Sequence, residues 1–241
     1  MKKIILIFLS CFTISSIFAQ ETAPETPTKQ TLSLTNRSND HLLFQVGYAG
    51  WAGAPDSINI GGLSKTVNLY FMFDFPFKSN PKMSVAIGVG IGSDNIKFKK
   101  TFVDIKGTTS TLRFQNQEDT NHFKRSKLST NYFEAPVELR YTLHPEKAGS
   151  LKFALGLKVG ALLNAHTRYK TLQNKSGNTL NEYTLKEASK AYYNKSRIAG
   201  TARIGLGHFS VFGSYQLTSL FKDGVTAQIR PYTIGLTLSG L

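Results

Sequence analysis

Beyond Asp40 the chain alternates apolar and polar residues with a period of two. In Leu42 to Tyr48, Leu42, Phe44, Val46 and Tyr48 oppose Leu43, Gln45 and Gly47. In Asn68 to Phe77, Leu69, Phe71, Phe73, Phe75 and Phe77 oppose Asn68, Tyr70, Met72 and Asp74. The same rhythm returns in Met83 to Ile91, Asn131 to Leu143, Leu151 to Leu163, Ser196 to Leu206, Phe209 to Thr218 and Gln228 to Ser239. Period-two alternation over such lengths predicts β-strands, and no segment after Asp40 sustains a helical period. Eight strands are expected. Pro136 lies mid-strand and removes a ladder donor, so a bulge or kink is expected there.

Alternation alone does not say which face points inward. A soluble barrel buries its apolar face and exposes the polar one to water; an outer-membrane barrel turns its apolar face to lipid. The less apolar face decides between them. Ser84, Ala86, Gly88 and Gly90, then Ser210, Phe212, Ser214 and Gln216, then Thr233, Gly235 and Thr237 carry no charge. A water-exposed face normally carries Lys and Glu, whereas a crowded lumen needs small and polar side chains. Connection lengths agree: Lys78 to Lys82, His144 to Ser150 and Gly207 to His208 are short, while Asp94 to Thr130 and Ala165 to Lys195 are long. The fold class predicted is all-β, an eight-stranded antiparallel transmembrane outer-membrane β-barrel with short periplasmic turns and long extracellular loops. Phe75, Phe77, Tyr141, Phe153 and Phe209 fall near one rim and Tyr48, Phe133, Tyr215 and Tyr232 near the other, as two interfacial belts require.

The first residues indicate the compartment. Lys2 and Lys3 precede an apolar run, and Ala19 offers a small residue for cleavage, the plan of a secretory signal peptide over residues 1–19. Residues 20–40, rich in Pro, Thr, Glu and Asn, read as a flexible periplasmic leader, leaving 41–241 for the barrel. The one cysteine, Cys11, lies in the signal segment; a lipoprotein acylated at Cys11 fits less well, because Phe8 and Leu9 suit that processing site poorly.

Charge then locates a candidate surface. Removing Lys2 and Lys3 from the 29 basic residues leaves 27 against 15 acidic ones, a net of +12. Most of that excess falls in the two long connections. There Lys97, Lys99, Lys100, Lys124, Arg125, Lys127, Arg168 and Lys170 are candidates for contact with lipopolysaccharide phosphates or a protein partner, or form a solvated basic face. Nucleic acid is not an expected partner, since no binding motif interleaves these charges.

Other charges fall on the predicted lumen face. Asp74, Glu134, Glu138, Arg140, Lys158 and Arg203 are expected there as a structural cluster of ion pairs with Tyr70 and Met72, because an uncompensated buried charge is costly. No catalytic residues are assigned. His41, His144 and His208 belong to strand ends or turns on the short-turn side. His122 and His166, the latter preceded by a lumen-facing Asn164, have no Ser or acid at a spacing that nominates a partner. The scattered histidines and acids predict no metal site and no cofactor. Asn174-Lys175-Ser176 and Asn194-Lys195-Ser196 match the glycosylation acceptor pattern but read as loop turns.

The stretch "NYFEAPVELRYTL" followed by "LKFALGLKVGALLNAHTRY" resembles the paired strands of the PorT-like family of outer-membrane barrels of Bacteroidota. Glu134, Pro136, Arg140 and Tyr141, then Gly156 and Gly160, carry the likeness, and the terminal "RPYTIGLTLSGL" is similar, although Leu241 departs from the terminal aromatic common in proteobacterial barrels. The resemblance implies a non-enzymatic component or assembly partner of the type IX secretion and gliding machinery. A stand-alone structural, adhesive or lipopolysaccharide-binding surface barrel is the alternative, and a lipid-modifying enzyme a more distant one.

Overall fold

A computed structural model describes residues 41–147 and 149–240. The signal peptide and leader therefore lie outside the described residues. Eleven strands and no helix occur among the described residues: β1 (Leu42–Ala52), β2 (Lys65–Pro76), β3 (Met83–Phe98), β4 (Thr101–Asp104), β5 (Arg113–Asn116), β6 (His122–Thr142), β7 (Leu151–Gln173), β8 (Thr179–Ala188), β9 (Ser196–Leu206), β10 (Phe209–Gln216) and β11 (Arg230–Ser239). Eight of them close a ring in the order β1, β2, β3, β6, β7, β9, β10, β11, with β11 pairing back onto β1. Every ladder of the ring is antiparallel. Closure leaves no free edge in the wall, which a lipid environment demands because it offers no partner to an unpaired amide.

The predicted alternation maps onto this wall. Phe71, Leu155, Phe209 and Leu236 project outward with 58%, 67%, 72% and 65% of their surface exposed, whereas Tyr70, Met72, Ala86 and Phe212 are buried inside. An apolar surface running round the whole ring is stable only against lipid. Outward apolar residues run from Phe133 to Tyr141 on β6 and from Phe153 to Leu163 on β7, which delimits the lipid band on these strands. Connections of residues 77–82, 143–150 and 207–208 join strands at one end, and longer ones at the other.

The longer connections are not simple loops. β6 and β7 run on together well past the band, β8 pairs onto the far half of β7 outside the ring, and β4 and β5 form a hairpin of their own. A register shift at Asn131/Tyr132, opposite Leu162 and Asn164, marks where the extension begins. This bulge corrects two expectations. Pro136 stays in register opposite Lys158, and its missing donor shows instead as a gap in the β3 ladder between Ile87–Val137 and Gly90–Glu134. The extra residue on β7 also reverses its parity, so Asn164 turns outward beside Asn131 while Ala165, Thr167 and Tyr169 are buried.

At the long-loop end the connections fold into the barrel mouth. Trp51 of β1 meets Phe98, Phe114 and Phe221 edge-on at ring separations of 5.5, 6.3 and 5.9 Å, and Phe221 lies 5.0 Å from Tyr193. Ile58, Val103, Ile105, Leu112, Val225 and Ile229 belong to the same cluster. Polar anchors set its geometry. The Tyr169 hydroxyl accepts from the Val103 amide at 2.9 Å and donates to the Val103 carbonyl at 2.8 Å, and burial pushes its pKa up to about 12, so it remains a donor at neutral pH. Asn194 donates to the Ser219 and Phe221 carbonyls. Satisfied backbone groups let an irregular segment pack an apolar core.

Candidate functional site

Two charged assemblies occupy different faces of the barrel. The first fills the lumen. Alternation on β2, β3, β6, β7 and β9 brings long polar side chains to one axis, and acids meet bases there. Near the short-turn end the Arg140 Nε donates to Glu138 at 2.8 Å, with Asp74 at 3.8 Å, and Arg203 donates to the same Glu138 at 3.0 Å. In mid-barrel the Tyr70 hydroxyl donates to Glu134 at 2.5 Å, and Lys158 Nζ lies 3.5 Å from that carboxylate. Towards the long-loop end Arg197 binds Glu134 at 2.6 Å and Asp94 at 2.7 Å, with its guanidinium 3.9 Å from the centre of the Tyr132 ring.

Four carboxylates thus face four cations in a buried column. Each desolvated charge keeps a partner, the condition under which burial is tolerable. Spaces between these groups are small: a void beside Lys158, Glu138 and Phe212 and another beside Asp94 and Arg197 hold about 10 Å³ each, room for roughly one water. Gly92 makes the packing feasible. A Cβ on that residue would press on Glu134 Oε2 and lie 2.9 Å from Arg197 Nη2. Sequence reasoning placed Asp74, Glu134, Glu138, Arg140, Lys158 and Arg203 in the lumen, and the structure puts all six in this column; Asp94 and Arg197, which sequence reasoning did not single out, belong to it as well.

The second assembly lies outside the wall at the long-loop end. A cleft of about 580 Å³ is lined by Lys97, Lys99, Lys100, Lys124, Arg125, Lys127, Arg168 and Lys170, together with Gly61, Gly62, His122 and Phe123. Residues from two distant connections therefore converge on one surface. Pairing explains how: Lys97 faces Lys127 across β3 and β6, Lys127 faces Arg168 across β6 and β7, and Arg125 faces Lys170. The β1–β2 connection closes the cleft side, with the Gly61 amide donating to the Lys97 carbonyl at 3.0 Å. Only glycine permits that approach, since a Cβ there would lie 2.7 Å from that of Lys99.

Opposed like charges destabilise a sheet, and among the described residues no carboxylate forms an ion pair with Lys97, Lys127, Arg168 or Lys170. The strain shows in their acid–base behaviour. Partial burial, then the positive charges of Arg168, Lys97, Lys170 and Lys186, hold the Lys127 ammonium below its ordinary pKa. His166, one rung nearer the lipid band, is lowered by burial and then by Lys186, Lys127 and Arg168. Lys186, which sequence reasoning did not single out, joins the row because β8 pairs it with Arg168. Among the described residues no group of three or more His, Cys, Asp or Glu side chains is placed to hold a metal ion.

Among solved structures, the attachment invasion locus protein Ail of Yersinia pestis is similar at 13% identity, covering 83% of this chain and 97% of that one with a TM-score of 0.37. The same Yersinia pestis protein in complex with the heparin analogue sucrose octasulfate is similar at 13% identity, with coverage of 82% and 95% and a TM-score of 0.34. No curated protein matches the chain. The outer membrane protein beta-barrel domain family matches residues 18–222, and with its closed ring, lipid-facing wall and filled lumen the chain belongs to that family of the outer membrane.

Proposed function

We propose that this chain is a non-enzymatic surface barrel that works alone in the outer membrane, its long-loop end facing outward and its basic cleft binding a polyanion. The observation that carries this reading is the convergence of eight basic side chains on one outer cleft with no acidic counterpart. The filled lumen supports it from the other side, because a column of ion pairs with voids of about 10 Å³ leaves no path for a solute. Function is thereby assigned to the exterior. A role in type IX secretion, which the PorT-like resemblance implies, predicts something different: a stable assembly with large partners.

Affinity purification of the tagged protein from native outer membranes in mild detergent separates the two. Recovery as a lone, heat-modifiable barrel is the expected result. Stoichiometric co-purification of secretion-channel or assembly proteins overturns the stand-alone reading and establishes the partner role.

A further inference from the structure

The basic cleft is one end of a longer row. Lys97 of β3, Lys127 of β6, Arg168 of β7 and Lys186 of β8 stand directly opposite one another in successive ladders, all on the outward face. Neighbouring strands lie about 4.8 Å apart, so the row places four cations across roughly 15 Å of wall. A second rung, Arg125 opposite Lys170, runs parallel to it one step further from the lipid. The spacing matches a ligand with several anionic groups on a compact scaffold.

Height on the wall selects among such ligands. The last outward apolar residues below the row are Ile91 on β3 and Phe133 on β6. Two polar rungs follow, Ser93 with Asn131 and Asn164, then Asn95 with Ser129 and His166, before the cations begin. Lys97 lies six residue steps beyond Ile91. At about 3.3 Å per residue and a tilt near 40° the row stands roughly 15 Å beyond the apolar edge. A phospholipid headgroup layer is about 5–8 Å thick and ends short of it. A glycolipid whose phosphates and carboxylates are carried on an oligosaccharide reaches that height; of the rungs beneath, Asn95 is already held by Ser93, Lys127 and Ser129, which leaves the cations as the groups that face the ligand. Like charges opposed over four strands are themselves a cost, which a bound polyanion removes.

We propose that the outward ladder Lys97–Lys127–Arg168–Lys186, with Arg125 and Lys170 above it, is a binding site for the phosphorylated core saccharide of lipopolysaccharide. The proposal rests on the reading that the long-loop end is external, and it commits the polyanion of that reading to the membrane's own outer leaflet.

The test uses the full barrel in nanodiscs of neutral phospholipid, of anionic phospholipid, and of phospholipid containing lipopolysaccharide, with inositol hexakisphosphate as a soluble probe. Lipopolysaccharide is expected to raise the thermal unfolding midpoint above both phospholipid controls. The double variant Lys127→Gln/Arg168→Gln should bind it about thirtyfold more weakly, near a factor of five per lost cation. In neutral phospholipid the same variant should melt at or above the wild type, because two opposed like charges are gone; a variant that melts lower there overturns the strained ladder. Lipopolysaccharide no better than anionic phospholipid, or unaffected by the substitutions, overturns the site. Equal affinity for soluble hexakisphosphate at the same residues overturns the lipid source. A lone barrel that ignores lipopolysaccharide removes this inference alone, whereas recovery of a secretion complex removes the surface-barrel reading whatever the lipid result.

Discussion

At the scale of residues, the lumen column and the outer ladder show opposite uses of charge. Glu134 receives Tyr70, Lys158 and Arg197 at once, so it joins the middle of the column to its upper end. Arg197→Ala leaves both Glu134 and Asp94 without their guanidinium, and removing one partner of a buried pair costs about 3–5 kcal/mol. Arg140→Ala should cost less, roughly 1–3 kcal/mol, because Arg203 still holds Glu138. Urea unfolding followed by the gel shift of the heat-modified band would rank them, and equal losses would count against the column as described. On the outer face, His166 makes a pH prediction. Its folded pKa lies below the ordinary 6.5, so the unfolded chain takes up the proton first. Stability is therefore full above about pH 6.5 and falls as pH drops through that value towards the lowered folded one. His166→Gln should flatten this part of the stability profile, and an NMR titration in lipopolysaccharide-free discs should give a midpoint below 6.5.

At the scale of elements, the strands were legible where each had lipid on one face and a packed lumen on the other. There alternation is forced, as in Leu69 to Phe77. Beyond the lipid band neither face is lipid, and "SKLSTN" and "NAHTRYKTLQ" mix small, polar and charged residues on both sides. The extensions of β6 and β7 and the whole of β8 therefore read as loops. The bulge at Asn131/Tyr132 compounded this, since a one-residue shift exchanges the two faces and put Asn164 on the wrong one. Asp94 and Arg197 were not singled out for a related reason: each lies at the long-connection end of its strand, where composition resembles a loop, and only closure of the ring brings them together across the lumen at 2.7 Å. The eight cleft cations were found one by one from composition, but their convergence depends on those same ladders.

At the scale of the whole molecule, two independent barriers close the barrel. The ion-pair column fills its middle, and the Trp51 cluster fills its mouth. An eight-stranded barrel has an interior just wide enough for side chains, so neither barrier needs the other. Trp51→Ala should cost about 3–5 kcal/mol through the cavity it leaves and still give no steady conductance in planar bilayers. A large open current from this variant would show that the column does not seal.

The ring also fixes an order of assembly. Most of its ladders join strands that are neighbours along the chain or separated by one hairpin, and the β6–β7 pairing is the longest of these local ladders. The β1–β11 ladder is different, tying Leu43 to Ser239 and Phe44 to Leu238 from opposite ends of the described chain. Closing a loop costs more entropy as it lengthens, and contacts between distant residues form late. Until that seam shuts, β1 and β11 each present an open row of amides and carbonyls inside a medium that cannot solvate them. The last step of folding is thus also the one most exposed to capture by another strand, and whatever inserts this barrel must shield one seam at one moment.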